Sequence, residues 1–297
     1  MFGSLGRCSK LSEILRVENL NFIYGKGTPF EKKAVDDVSF SVNKGDFIGI
    51  IGHTGSGKST LIQMLNGLIT PTSGKVFVDN NDIYAEPKKL RDIRFRVGLV
   101  FQYPEYQLFE ETVYKDIAFG PTNMKLTGDE LDSRVRKAAK FVGLSDGLLQ
   151  KSPFELSGGE KRRAAIAGVI AMNPEILILD EPNAGLDPIG KETLLNQIYK
   201  YHKESNNTVL LVSHSMEDIA KVTDKVIVMN KSKLAMYDNT KNIFSRSDEL
   251  ESMGLRVPQI TKVMSTFRQR GYNLPDGILT VEQATYEIIK LIGERGN

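Results

Sequence analysis

The chain has 297 residues, enough for one large or two modest domains around a buried core. Its 40% hydrophobic and 26% charged residues are globular values and exclude disorder as the dominant state. Lysine plus arginine number 39 against 37 aspartate plus glutamate, a formal net charge of +2, so the basic excess of a dedicated nucleic-acid binder is missing.

Residues 1–10 carry no apolar core followed by a cleavage site, so no signal sequence is read there. Residues 14–24 alternate apolar and polar side chains and predict a half-buried strand; residues 25–29 break it, and residues 38–42 alternate again. Residues 47–51 are a continuous apolar run, as expected of a strand covered on both faces. Residues 97–101, 176–179, 209–212 and 226–229 repeat that pattern with many β-branched side chains. Helices are predicted over 59–68, over 131–142 and over 161–172. In the second, Leu131, Val135, Ala138 and Val142 share a face and Gly143 is the stop; the third is rich in alanine, apolar on most sides, and ends at Asn173 and Pro174. Strands alternating with helices predict an α/β domain with a parallel sheet.

After residue 245 no strand pattern is visible. Ile260, Val263, Met264 and Phe267 have helical spacing, followed by Gly271. Thr280 and Gln283 form a predicted capping box, and Val281, Ala284, Ile288 and Leu291 continue a helical stripe up to Gly293. Residues 246–297 are therefore expected to form a small helical appendage. No run approaches the roughly 20 apolar residues that cross a bilayer. The single cysteine, Cys8, cannot close an internal disulfide, which suits a reducing compartment. Three histidines and no Cys/His cluster give no pattern for a structural zinc site.

The chemistry begins at Gly52, His53, Thr54, Gly55, Ser56, Gly57, Lys58 and Ser59, which fit G-x-x-x-x-G-K-[ST] between a predicted strand and a predicted helix. Glycines let backbone N–H groups turn inward around phosphate oxygens, and the helix N-terminus adds positive potential. Lys58 can reach the β and γ phosphates, and the Ser59 hydroxyl can ligate Mg²⁺. A second half comes from residues 176–179, which run into Asp180 and Glu181. At the carboxyl end of a parallel strand these acids would face the nucleotide crevice. Asp180 suits Mg²⁺, and Glu181 suits orienting or deprotonating the attacking water.

The run Leu156, Ser157, Gly158, Gly159, Glu160, Lys161, Arg162, Arg163 resembles the signature of ATP-binding-cassette ATPases. The order of Lys58, Gln102, Ser157, Asp180 with Glu181, Asp187 and His214 is similar to that family over residues 14–239. The resemblance implies an ATP-binding-cassette fold, a mixed sheet with a helical subdomain at about residues 103–172, and a cassette over 14–245. By position, Tyr24 resembles the aromatic that stacks on adenine, although Phe22 and Phe30 are nearby, and Thr60 completes the phosphate-binding set. Gln102 resembles the glutamine that touches Mg²⁺ and the attacking water, and His214 the histidine on the γ-phosphate. Asp187 resembles part of the loop that speaks across a dimer interface. Ser157, Gly158, Gly159 and Glu160 would close on the nucleotide of a second cassette. Glu160 departs from the family's usual glutamine, and its carboxylate would repel a triphosphate unless it points away.

Two segments resemble the ATPase subunits of energy-coupling factor transporters. One is Gly25, Lys26, Gly27, Thr28, Pro29, Phe30, Glu31; the other runs from Val100 through Gln102, Tyr103, Pro104, Glu105, Tyr106, Gln107 and Leu108 to Phe109. The resemblance implies import of vitamins or metal ions powered by ATP and Mg²⁺. It implies three partners, namely a second ATPase (itself or a related chain), a transmembrane scaffold subunit and a substrate-binding membrane subunit, with no nucleic acid. It also implies a peripheral position on the cytoplasmic side of the cell membrane. Glu110 and Glu111 are expected to receive arginines of the scaffold, and residues 246–297 to support dimerisation. A conventional ATP-binding-cassette transporter and a non-transport ATPase are the alternative readings.

Overall fold

The computed structural model describes residues 12–295; Cys8 and the segment read for a signal sequence lie outside the described residues. The elements run β1 (Glu13–Tyr24), β2 (Lys32–Asn43), β3 (Phe47–Gly52), α1 (Lys58–Leu65), β4 (Ser73–Val78), β5 (Asn81–Asp82), α2 (Leu90–Arg96), β6 (Val97–Val100), α3 (Val113–Asn123), α4 (Gly128–Phe141) and α5 (Asp146–Leu149). They continue with α6 (Gly158–Ala171), β7 (Ile176–Asp180), α7 (Pro188–Ser205), β8 (Thr208–Val212), α8 (Met216–Val222), β9 (Lys225–Asn230), β10 (Lys233–Asn239), α9 (Thr240–Ser245), α10 (Ser247–Ser252), α11 (Gln259–Gln269) and α12 (Val281–Arg295).

Two sheets form. The larger has the order β10-β9-β3-β8-β7-β6, parallel from β9 to β6 with β10 antiparallel at its edge. The smaller is antiparallel, in the order β2-β1-β4-β5. The unbroken apolar runs are explained by the two cores they separate. Phe47, Ile51, Leu177, Leu179, Val209, Leu211, Val226 and Val228 point into a core shared with the helices. Their alternating neighbours Ile48, Ile50, Ile176, Ile178, Leu210, Val212, Ile227 and Met229 point into a second core under β1, β2, β4 and α1. A strand buried on both faces has no polar position left to alternate with.

The predicted strands are present with boundaries shifted by a few residues, and β2 begins well before its alternating portion. The predicted helices correspond to α1, α4 and α6. Helix α4 ends at Phe141, where Gly143 adopts φ 72°, as the stop requires. Gly293 does not end α12, which runs on to Arg295. The capping box at Thr280 is also different. Thr280 Oγ1 accepts the Gln283 N–H at 3.3 Å, but Gln283 Oε1 accepts from Leu279 N–H at 2.9 Å rather than from Thr280.

Helices α3, α4 and α6 pack together beside the sheet. Beyond α9, Leu250, Leu255 and Val257 still belong to the core shared by the larger sheet and its helices. Met264, Leu274, Ile278 and Ala284 form a separate small core between α11 and α12. Among the described residues no helix is long and apolar enough to cross a membrane.

Candidate nucleotide site

The carboxyl ends of β3 and β7, the segments after β6 and β8, and one face of β1 and β2 converge on a cavity of about 310 Å³. It is lined by Tyr24, Thr54, Gly55, Gly57, Lys58, Ser59, Thr60, Gln102, Asp180, Glu181 and His214, together with Lys32 and Ala34. The topology explains the convergence. Parallel strands release their chains at the same edge, so every loop after a strand meets there.

The phosphate loop turns sharply between β3 and α1. Gly57 sits at φ 99°, and a Cβ there would overlap the carbonyl oxygen of Ala34. Only glycine fits that approach. Lys58 is buried, and its Nζ donates to the carbonyls of Gly52 at 2.6 Å and His53 at 3.0 Å. Burial lowers its pKa, opposed by the charges of Glu181 and Asp180. Ser59 is exposed on the first turn, whereas Thr60 is buried and its Oγ1 lies 3.1 Å from Tyr24 Oη. Tyr24 is 46% exposed and stacks edge-on against Phe22, so a ring face remains available beside the loop.

Asp180 ends β7 and is buried; burial raises its pKa while the hydrogen bond from Ser59 and the charge of Lys58 pull it down. Glu181 follows at φ 50°, a left-handed conformation that a non-glycine residue adopts only when its surroundings hold it. Its N–H donates to Val212 O at 3.0 Å, which fastens the turn to β8. Burial pushes the Glu181 carboxyl up to about 7, against the pull of the His214 backbone N–H. His214 Nε2 lies 3.3 Å from Glu181 Oε1, yet that oxygen lacks an aligned hydrogen bond. The result is a carboxylate of near-neutral pKa lining the cavity, which suits a general base.

The donors available to a divalent cation are the Ser59 hydroxyl, the Asp180 carboxylate and the Gln102 amide, all hard oxygens that fit Mg²⁺. Among the described residues no cluster of three His, Cys, Asp or Glu is placed to hold a metal alone. Such a site suits a cation that takes most of its ligands from phosphate and water.

The other predicted residues lie outside the cavity. Gly52, His53 and Ser56 form the back of the loop, and the His53 ring turns outward to the Met253 carbonyl, beside Gly254. Asp187 caps α7, its Oδ1 accepting the Gly190 N–H at 2.9 Å. Ser157, Gly158, Gly159 and Glu160 stand at the tip of α6. Ser157 and Glu160 form a capping box, with Ser157 N–H and Oγ donating to Glu160 Oε2 at 2.8 and 2.7 Å. The carboxylate is therefore folded back on its own helix, and these bonds hold its pKa below the usual value. Lys32 and Ala34 were not singled out by motif. They reach the cavity through the antiparallel pairing of β1 with β2, which leaves no local sequence signal.

Phosphate loop, strand-end acids and a separate Ser-Gly-Gly helix tip on one parallel sheet are the parts of an ATP-binding-cassette ATPase, and the ABC transporter family model matches residues 35–184. A dimeric cassette solved in a post-hydrolysis state with ADP and phosphate superposes with a TM-score of 0.69 at 26% identity, over 76% of this chain and 99% of that one. Clostridium perfringens cbiO1, part of the ABC transporter complex cbiONQ, superposes with a TM-score of 0.72 at 38% identity, over 86% of this chain and 99% of that one. The energy-coupling factor transporter ATP-binding protein EcfA2 of Clostridium tetani is 52% identical over 282 residues, 95% of this chain and 98% of its own. This chain belongs to the family of energy-coupling factor transporter ATP-binding proteins.

Proposed function

We propose that this chain is one of two cassettes that close head to tail on ATP and drive an energy-coupling factor importer for vitamins or metal ions. The observation that carries the pairing is the position of Ser157 and Gly158, exposed at the α6 N-terminus and outside the chain's own cavity. The Gly158 N–H, which the cap leaves free, and the helix dipole form an anion site whose phosphate must come from another subunit. Closure then stabilises the pair only as far as ATP contacts it better than the open state. The resemblance to the dimeric cassette with ADP and phosphate supports the same arrangement.

Within each cavity Lys58 and the loop N–H groups hold the phosphates, and Tyr24 offers its ring to the base. Ser59, Asp180 and Gln102 would hold Mg²⁺, which neutralises phosphate charge when bound. Glu181 takes the proton of the attacking water, oriented by Gln102 and His214.

Membrane partners would dock beside α3. A groove of about 310 Å³ is lined by Phe95, Leu108, Phe109, Phe119 and Met172, with Asp116 among them. Asp116 Oδ1 accepts the N–H groups of Phe109 and Glu110, while its buried Oδ2 has no partner. An apolar scaffold helix carrying a cation fits this groove. Glu111 is already paired with Lys115 at 2.5 Å, which leaves Glu110 the freer of the two acids. On α12, Tyr286, Ile289 and Ile292 are all exposed, which supports pairing of the two ATPases through residues 246–297. These contacts would hold the chain at the cytoplasmic face of the membrane.

The test is co-purification from membranes. Replacing Glu110 and Glu111 with alanine should keep nucleotide binding and weaken recovery of the scaffold; Phe109→Ala with Phe119→Ala should abolish it. Full recovery from both variants would place docking elsewhere.

A further inference from the structure

Among the described residues only two lysine or arginine side chains are classed as buried, Lys58 and Arg162. Lys58 belongs to the phosphate loop. Arg162 touches no part of the cavity, yet it is only 3% exposed, and a buried cation persists only where partners replace its water.

Its side chain joins three parts of the chain. Arg162 itself lies on α6, in the turn after the Ser157 tip. Its Nε and Nη2 donate to Glu105 Oε2 and Oε1 at 3.0 and 2.6 Å, a bidentate pair. Glu105 lies on the docking turn, Pro104–Gln107, which follows Gln102 and leads into the proposed docking groove at Gln107, Leu108 and Phe109. The third nitrogen, Nη1, donates to the Pro182 carbonyl at 3.4 Å and to the Ala184 carbonyl. Those carbonyls belong to the loop that starts immediately after Glu181. The Tyr103 ring lies 5.8 Å from the guanidinium, and Tyr103 adopts φ 56° at the entry to the turn.

We infer that Arg162 is a positioning residue that ties the docking turn, the signature helix and the loop after Glu181 into one unit. A bidentate guanidinium–carboxylate pair fixes both direction and distance, so the turn cannot shift without carrying α6. The same side chain grips the backbone on the far side of Glu181, so the general base moves with them. Engagement of a membrane helix at the docking turn is thereby felt at the Ser157 tip and at the base together. Lysine cannot replace Arg162 here, because a single ammonium lacks the planar fork that spans the three contacts.

This inference rests on the docking role proposed for the groove at Leu108, Phe109 and Phe119, and the experiment separates the two. Wild-type chain, Glu105→Gln and Arg162→Lys are each assembled with the partner ATPase, with and without the membrane scaffold that co-purifies with the wild type. The readout is the ratio of ATP hydrolysis rates in the two settings. In the wild type this ratio is expected to depart from one, and a ratio of one there would overturn the inference. The expected result is retained scaffold recovery with that ratio brought at least fivefold closer to one in both variants. An unchanged ratio, an equal fall of both rates, or loss of the scaffold itself would each overturn the inference. Failure of the docking role is seen separately, as full scaffold recovery by Phe109→Ala with Phe119→Ala. Glu105→Gln keeps the size and one acceptor of the original side chain at a partly exposed position, so its result does not depend on the buried Arg162→Lys variant folding.

Discussion

At Glu181 two features coincide, a left-handed backbone and a carboxyl raised to about 7 by burial. Glutamine keeps the shape of the side chain and removes its basicity. Glu181→Gln is therefore expected to bind ATP normally and to lower turnover by about 100-fold or more, the scale of a lost general base; steady-state hydrolysis beside equilibrium ATP binding measures both. Lys58→Ala removes charged hydrogen bonds to phosphate, each worth about 1.5–3 kcal/mol, and is expected to weaken ATP binding by about 100-fold in calorimetry. These residues were legible in the sequence because phosphate chemistry demands particular residue types at fixed spacing. Lys32 and Ala34 were not, since their place at the cavity follows from strand pairing alone.

Among the elements, α6 shows how one sequence feature serves two ends. The Ser157–Glu160 capping box satisfies the first turn and leaves other N–H groups of the tip exposed. Ser157→Ala is expected to cost about 1 kcal/mol of stability in denaturant unfolding, the usual value of an N-cap. Glu160 at the position usually held by glutamine raised the prospect of repulsion toward a triphosphate; its side chain instead closes the cap. Further along the helix, Arg162→Ala strands the Glu105 carboxylate beside the lost cation, and removing one partner of a buried pair costs about 3–5 kcal/mol. The buried strands and amphipathic α4 were readable from their patterns. Strand β10 and the 18-residue α7 escaped, because β10 lies at a sheet edge with mixed exposure and α7 alternates buried and exposed turns without a clean stripe.

For the whole molecule the sheet divides two cores, and its lower edge carries a pH response. His202 is buried beside Phe47, with Nδ1 2.8 Å from the Asn207 carbonyl. Burial lowers its pKa below the usual 6.5, against the pull of that carbonyl. The unfolded chain therefore binds the proton more readily, so this contribution is present above pH about 6.5 and is lost as pH falls through the folded value. The unfolding midpoint of the wild type is expected to drop between pH 7 and 5.5, with a shallower drop for His202→Gln. The appendage is anchored just as unevenly. Leu250, Leu255 and Val257 fill part of the cassette's core, so a chain ending at residue 245 should precipitate. One ending at residue 258 loses only Leu279 from that core and should stay folded and bind ATP in the same calorimetric assay. The contact between the His53 ring and Met253–Gly254 sets a rule for chimaeras. Gly254 has φ 69°, and any Cβ there would meet the imidazole at 3.1 Å. A foreign tail grafted onto this ATPase must therefore bring a glycine to that spot, because the left-handed backbone disfavours any side chain there whatever residue stands at position 53.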